Sequence, residues 1–231
     1  MLLVDRVVGW VAPHACIGCG RVGAVLCSEC LLSAGDPPAP RCAGCKILSD
    51  GYKTCRSCRS WLDIYAVFVA TEYGGLYELL VKAYKFQFQR QAAEPIARIM
   101  LGISGVSFPV NSLIIPLPTA PARIRSRGFD HTKLLVQQWY KFLTPAVRKQ
   151  LQLSCELKRR SNSRQAGSSR EQRIKQVASE FYVSSPKAIR GKSCILFDDI
   201  TTTGASLAAA AEALKSAGAT RVYAIVFAQK I

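Results

Sequence analysis

The sequence predicts an α/β domain with a mostly parallel sheet flanked by helices, preceded by a small cysteine-rich module. Three observations predict it. From Leu62 onward, β-branched and aromatic runs alternate with helical apolar periodicity, the pattern of strand–helix–strand units. Eight of the ten cysteines fall within residues 16–58. Near the C-terminus an apolar strand runs into two aspartates and a Thr- and Gly-rich turn, the place where α/β sheets bind ligands. A chain of 231 residues can hold one ordinary core and a small module. The expected boundary separates residues 1–60 from 61–231.

In the first segment, Leu3, Val7, Trp10 and Val11 fit one face of a short docking helix. Asp5 and Arg6 break its apolar run, so residues 1–11 do not read as an export signal. No apolar run reaches the roughly 18 residues of a membrane span, and a cytoplasmic location is expected.

The eight clustered cysteines form four C-x-x-C pairs: Cys16/Cys19, Cys27/Cys30, Cys42/Cys45 and Cys55/Cys58. Seven residues separate the first two pairs and nine the last two. A two-residue gap lets two thiolates approach one ion from a tight turn, and two turns complete a tetrahedron. The pattern predicts two closed, structural Zn2+ sites. Pairing is sequential (16/19 with 27/30, 42/45 with 55/58) or crossed, and spacing leaves both open. Disulfides fit poorly with a reducing compartment, and a redox motif belongs on a thioredoxin-like turn. Gly18, Gly20 and Gly44 are expected to ease the turns. His14 is set aside as a substitute ligand. Gly18–Gly23 matches G-x-G-x-x-G, but inside a cysteine knuckle it cannot be a dinucleotide fingerprint. A segment this short and poor in large apolar residues is expected to need metal to fold. Asp36-Pro37-Pro38-Ala39-Pro40 predicts a semi-rigid spacer between the two knuckle pairs.

The elements of the larger domain follow in order. Residues 64–71 read as a strand, 75–86 and 92–101 as helices, and 112–117 as a short strand closed by prolines. Residues 130–143 predict an amphipathic helix ended by Thr144-Pro145. Ser193–Phe197 is a buried-type strand, Gly204–Ala217 an Ala-rich helix closed by Gly218, and Arg221–Ala228 the last strand. Cys155 and Cys194 are expected to be buried core thiols.

The formal charge of +16 points to a polyanionic partner. Residues 123–175 concentrate it, with 14 Lys and Arg against three acids. Residues 1–60 hold seven basic and four acidic side chains, and two Zn2+ on eight thiolates would leave them near neutral. The larger domain is therefore the stronger candidate for gripping phosphates.

The most informative segment runs from Cys194 to Ser206. Asp198 and Asp199, just before the turn, can accept hydrogen bonds from vicinal hydroxyls such as those of a ribose. Thr201, Thr202, Thr203, Gly204, Ala205 and Ser206 supply hydroxyls and backbone N–H groups at a helix N-terminus, an anion site suited to phosphate. A sugar phosphate fits both halves.

Residues 195–206 resemble the phosphoribosyl pyrophosphate (PRPP) motif of type I phosphoribosyltransferases. The whole chain resembles the ComF family, which joins a double zinc ribbon to a phosphoribosyltransferase-like domain. The resemblance also rests on Tyr73-Gly74-Gly75-Leu76 leading to Lys82-Ala83-Tyr84-Lys85-Phe86, and on Ile115-Pro116-Leu117-Pro118 followed by Arg127-Gly128-Phe129. It implies that Asp198 and Asp199 hold the ribose hydroxyls, that Thr201–Ser206 cradle the 5′-phosphate, and that Mg2+ accompanies PRPP. It places pyrophosphate on the loop from Pro118, with Thr119, Arg123 and Arg127, beside Arg125.

It also implies a mobile basic loop over 158–175, with Lys158, Arg159, Arg160, Arg164, Gln165 and Arg170, that closes over the ligand. Tyr140, Phe142, Phe181 and Tyr182 flank that loop and could stack bases, although core packing suits most of them better. The family usually has Asn-Gln where Asp130-His131 stand here; His131 could be a general acid or base, but it reads better as a surface residue at a helix start. Thr202 stands where 6-oxopurine enzymes carry an acid, which disfavours that type of salvage.

The resemblance implies a cytoplasmic competence factor. It would bind PRPP and single-stranded DNA beside a DNA-translocating ATPase during DNA uptake and natural transformation. The alternatives are an active phosphoribosyltransferase (a glycosyltransferase) on an unidentified acceptor and a PRPP-sensing regulator.

Overall fold

The computed structural model describes residues 14–103, 108–160 and 180–230. The expected N-terminal helix over 1–11, and Arg164, Gln165 and Arg170, lie outside them. The strands are β1 (Val67–Glu72), β2 (Ser112–Pro116), β3 (Leu151–Leu153), β4 (Leu157–Arg159), β5 (Phe181–Val183), β6 (Ser193–Thr201) and β7 (Arg221–Gln229). Five form a parallel sheet in the order β1-β7-β6-β2-β3, and β4 pairs with β5 in a separate antiparallel ribbon. Every residue of β7 after Arg221 is buried, as a central parallel strand covered on both faces requires.

The helices are α1 (Ser28–Leu32), α2 (Arg56–Leu62), α3 (Gly75–Phe86), α4 (Ala93–Ile99), α5 (Pro121–Arg127), α6 (His131–Phe142), α7 (Pro145–Gln150), α8 (Pro186–Ile189) and α9 (Ala205–Ser216). On one face of the sheet, Leu80 and Tyr84 of α3, Ile96 of α4, and Leu135 and Trp139 of α6 pack on Phe68, Phe197 and Phe227. The Trp139 and Phe197 rings lie 5.4 Å apart. On the other face, Leu207, Ala210 and Leu214 of α9 pack on Val67, Val69, Leu196 and Val226. The small alanines of α9 let it lie close to the sheet, and Gly218 closes the helix at φ 94°.

The cysteine knuckles straddle the β1 edge. Val25 and Leu26 join the first core, while Ala43 and Leu62 join the second. The proline spacer runs between them. Pro38 and Ala39 line a cleft with Val69 and Glu72 of β1, and Tyr52 Oη donates to the Pro38 carbonyl at 2.9 Å.

Several expectations change. β6 extends past Phe197 to Thr201, because Asp198 and Ile200 stay in register with Val226 and Ala228 of β7. The helix over 92–101 is an α-helix to Ile99 and a 3-10 turn over Met100–Ile103. The loop from Pro118, where pyrophosphate is expected, contains the short helix α5, started by Pro121 and ended by Gly128 at φ 72°. Lys158 and Arg159 belong to β4 rather than to a structureless loop. Cys155 is exposed, which corrects the buried expectation. Cys194 is buried as expected, and burial pushes its thiol up to about 12. No helix among the described residues is long and apolar enough to cross a membrane.

Candidate functional site

The site gathers at the C-terminal end of β6. Successive strand residues point to opposite faces, so Asp198 and Asp199 diverge. Asp199 faces the core that holds α3 and α6 and is 1% exposed, whereas Asp198 is half-buried. Each carboxylate turns back on the backbone: Asp199 N–H donates to Asp198 Oδ1 at 2.9 Å, and Ile200 N–H to Asp199 Oδ1 at 2.9 Å.

Lys85, in the last turn of α3, places Nζ 2.8 Å from Asp199 Oδ2. Burial alone would raise the Asp199 carboxyl, but Lys85 and then His131 hold it below its ordinary value. Burial and the adjacent Asp199 charge push Asp198 well above the usual carboxylate range. The pair is thus split into a salt-bridged anion and a carboxyl that favours its proton.

His131, expected at the surface, is 5% exposed. The correction has a steric cause: the first turn of α6 packs under α3, where Tyr84 Oη donates to the His131 carbonyl at 2.6 Å. Arg127 Nη1 lies 2.9 Å from His131 Nδ1. A guanidinium only donates, so Nδ1 accepts and the ring proton sits on Nε2, 3.6 Å from Asp199 Oδ2. Burial first, then Lys85 and Arg127, push His131 down to about 4 against the pull of Asp199. The ring is neutral at physiological pH. Asp130 caps α6 by accepting from Lys133 N–H at 3.2 Å, and it accepts from Thr119 Oγ1 at 2.9 Å. Thr119 Oγ1 also lies 3.2 Å from His131 Nδ1.

The anion residues therefore divide. Thr119 and Arg127 are buried and joined through His131, with the Arg127 guanidinium 5.5 Å from the Phe86 ring centre. Arg123 and Arg125 are exposed on α5. Arg159 joins the two loops, since Nη1 donates to the Pro118 carbonyl at 3.4 Å while Nη2 pairs with Glu180. Arg160 is exposed and lies over the Tyr182 ring. Phe181 is buried, and Tyr182 is 42% exposed.

The turn after β6 holds Thr201–Ser206, where an anion is expected. Thr201 is buried and its carbonyl accepts from Lys230 N–H at 3.0 Å. Thr202, Thr203, Ala205 and Ser206 are exposed around the N-terminus of the twelve-residue helix α9. Gly204 caps that helix at φ 78°, a conformation that costs other residues strain. Thr203 Oγ1 accepts from Ala205 N–H at 3.4 Å. A half-buried carboxylate and a run of exposed hydroxyl-bearing residues thus sit on one strand–turn–helix unit.

The cysteines pair sequentially: Cys16, Cys19, Cys27 and Cys30 form one group, and Cys42, Cys45, Cys55 and Cys58 the other. The four sulfurs of each group lie within 4.8 Å of one another. Cys19–Cys27 and Cys45–Cys55 are each 3.7 Å apart. Four Zn–S bonds of about 2.3 Å in a tetrahedron place sulfurs about 3.8 Å apart, so both groups could bind zinc. His14 belongs to neither. Backbone N–H groups aim at the innermost sulfurs, Cys27 N at Cys16 Sγ (3.3 Å) and Cys55 N at Cys42 Sγ (3.4 Å). Against burial, such bonds lower Cys16 and Cys42 to about 6.

Gly20 is left-handed at φ 75°, as a tight turn requires. Gly18 and Gly44 serve differently, since a Cβ there would lie 2.8 Å from Cys30 Sγ and 2.6 Å from Cys58 Sγ. They leave room for the fourth sulfur.

Lys85 was visible in sequence only as part of a family-like stretch, because its partner lies across the fold. Residues 143–231 match the family model of the phosphoribosyl transferase domain. No curated protein matches the chain. The matched domain and the two four-cysteine groups fit an architecture of paired zinc ribbons on a phosphoribosyltransferase-like sheet.

Proposed function

We propose that this chain binds PRPP at the C-terminal end of β6 and acts as a ComF-like competence factor. The observation that carries the reading is the single unit holding Asp198, the exposed Thr202–Ser206 turn and the start of α9. Asp198 accepts the ribose hydroxyls, and Asp199, held ionised by Lys85, fixes the strand end beneath it. The amides and hydroxyls of the turn take the 5′-phosphate. Thr119, Arg123 and Arg127 form the pyrophosphate side, and Mg2+ would enter with the ligand to neutralise its charge. Zinc in the two cysteine groups is structural.

Single-stranded DNA is the second ligand. Exposed Arg123, Arg125, Lys133, Lys158 and Arg160 give the domain a basic surface, and such contacts weaken as salt rises. The setting is cytoplasmic, beside a DNA-translocating ATPase. The test is a calorimetric titration of Mg2+–PRPP with and without oligonucleotide, repeated at two salt concentrations. Saturable PRPP binding that Asp198→Asn weakens supports the reading, and absence of binding removes it.

Transfer to an acceptor is a second reading. The chain Arg127–His131–Asp199–Lys85 favours it, because it ties the pyrophosphate-side Arg127 to the carboxylate next to Asp198. Acceptor-dependent pyrophosphate release, lost in Asp198→Asn, is the expected sign. Binding without release leaves PRPP as a sensed ligand.

A further inference from the structure

The two cysteine knuckles share one backbone feature but fill it with different residues. In each, the fourth residue after the first cysteine is left-handed: Gly20 at φ 75° and Lys46 at φ 64°. Both donate their N–H to that cysteine's carbonyl, Gly20 at 2.7 Å and Lys46 at 2.9 Å. Glycine takes this conformation without steric cost, and lysine does not. A strained residue persists where its surroundings hold it. The Lys46 side chain is held at its tip, where Nζ donates to the Ala43 carbonyl at 3.0 Å and to the Thr202 carbonyl at 3.3 Å. Thr202 opens the exposed turn between β6 and α9.

The same ribbon touches the turn again. A Cβ placed on Gly204 would lie 3.6 Å from Leu62 Cδ1 and 3.9 Å from the Trp61 ring. Trp61 and Leu62 end α2, the helix that also carries the ligand Cys58. Gly44 stands against both Cys58 Sγ and Trp61, so sulfur, indole and turn form one packed series. At the matching position of the first ribbon, a Cβ on Gly20 would meet no described atom within 4 Å.

We propose that Lys46 is a positioning residue for the turn 202–206, which makes the second ribbon, and not the first, a wall of the ligand site. The ammonium holds the Thr202 carbonyl, and with it the peptide leading into Thr203, so the amides that follow keep one arrangement. The inference rests on the reading of that turn as a phosphate site.

Full-length protein carrying Lys46→Gly or Lys46→Asn tests it. Both residues accept the left-handed backbone and remove the ammonium, so the knuckle is spared. Lys46→Arg keeps a cation. The readouts are zinc retained against a chelator, hydrogen exchange at amides 203–206 without ligand, and affinity for Mg2+–PRPP and inorganic pyrophosphate.

The expected result is unchanged zinc retention with faster exchange at 203–206. PRPP affinity should fall about tenfold, the equivalent of one charged hydrogen bond, with most of it restored by Arg. Equal exchange in wild type and both variants, or faster exchange with unchanged affinity, overturns the proposal. If the wild type binds neither probe, the phosphate reading fails, and the ligand-free exchange still decides whether Lys46 holds the turn.

Discussion

The Arg127 guanidinium donates to His131 Nδ1 across 2.9 Å and thereby fixes the ring proton on Nε2, facing Asp199. A residue four positions before the histidine thus sets its tautomer. Buried Arg127, His131 and Asp199 and half-buried Lys85 form one polar chain at the end of β6. Such chains are costly when a member is removed and stiffening when complete.

The first consequence is a pH dependence. His131 falls from an ordinary 6.5 to about 4 on burial. The folded ring therefore binds its proton more weakly than the unfolded one. Stability from keeping it neutral is complete above pH 6.5 and is lost as pH falls toward 4. At full effect the loss amounts to about 3 kcal/mol. Urea unfolding between pH 7.5 and 4 should show this limb, and His131→Gln should flatten it.

Lys85→Met should destabilise strongly, because it leaves Asp199 ionised, buried and unpaired. Breaking such a pair costs about 3 kcal/mol or more. Adding Asp199→Asn should recover more than half of that loss. The measurement is a double-mutant cycle at pH 7.5, and an additive result would show that the two groups are not coupled.

Asp198→Asn should stabilise the protein while weakening PRPP binding. Asp198 is raised by burial and by Asp199, so its ionisation opposes folding as pH climbs above the ordinary carboxylate value. An amide, which never ionises, should therefore raise the melting temperature at pH 7.5, a trade of stability against function. Thermal unfolding and ligand titration of the same preparation should move in opposite directions.

Gly44→Ala should lower zinc affinity at the second group by about tenfold or more through displaced ligand geometry. The new methyl would meet Cys58 Sγ at 2.6 Å and the Trp61 ring at 2.9 Å. Gly35→Ala is the control, since a Cβ there meets nothing within 4 Å. Chelator competition read zinc by zinc should separate the two variants.

The sheet and its long helices were legible because their signals are local. Leu76, Leu79, Leu80 and Ala83 announce α3 by spacing, and the α-helix runs over the expected Gly75–Phe86. Strands β3, β4 and β5 have three residues each, too few for any alternation to show. The extra length of β6 was hidden because two aspartates look like the start of a loop, and only pairing with β7 keeps them in the strand. Zinc-type spacing was plain in the C-x-x-C pairs, but their sequential partnership depended on how the knuckles fold. The inner site was the least legible. Lys85, His131 and Asp199 are far apart in the chain, and nothing around His131 in sequence marks it as buried.

The spacer between the cysteine groups has an effect on self-association. An outermost strand presents unpaired amides and carbonyls to any extended chain that drifts past, the usual start of edge-to-edge aggregation. Here the segment beside β1 contains Pro37, Pro38 and Pro40, which have no N–H to extend a ladder. Tyr52 pins it through the Pro38 carbonyl, and Pro37 packs against Gly102. A further strand could dock on that side only by lifting the spacer, and both cysteine groups are anchored at its ends. With zinc in the two groups, its removal should therefore do more than loosen two small ribbons: it should uncover β1 and raise self-association, read by light scattering before and after chelation.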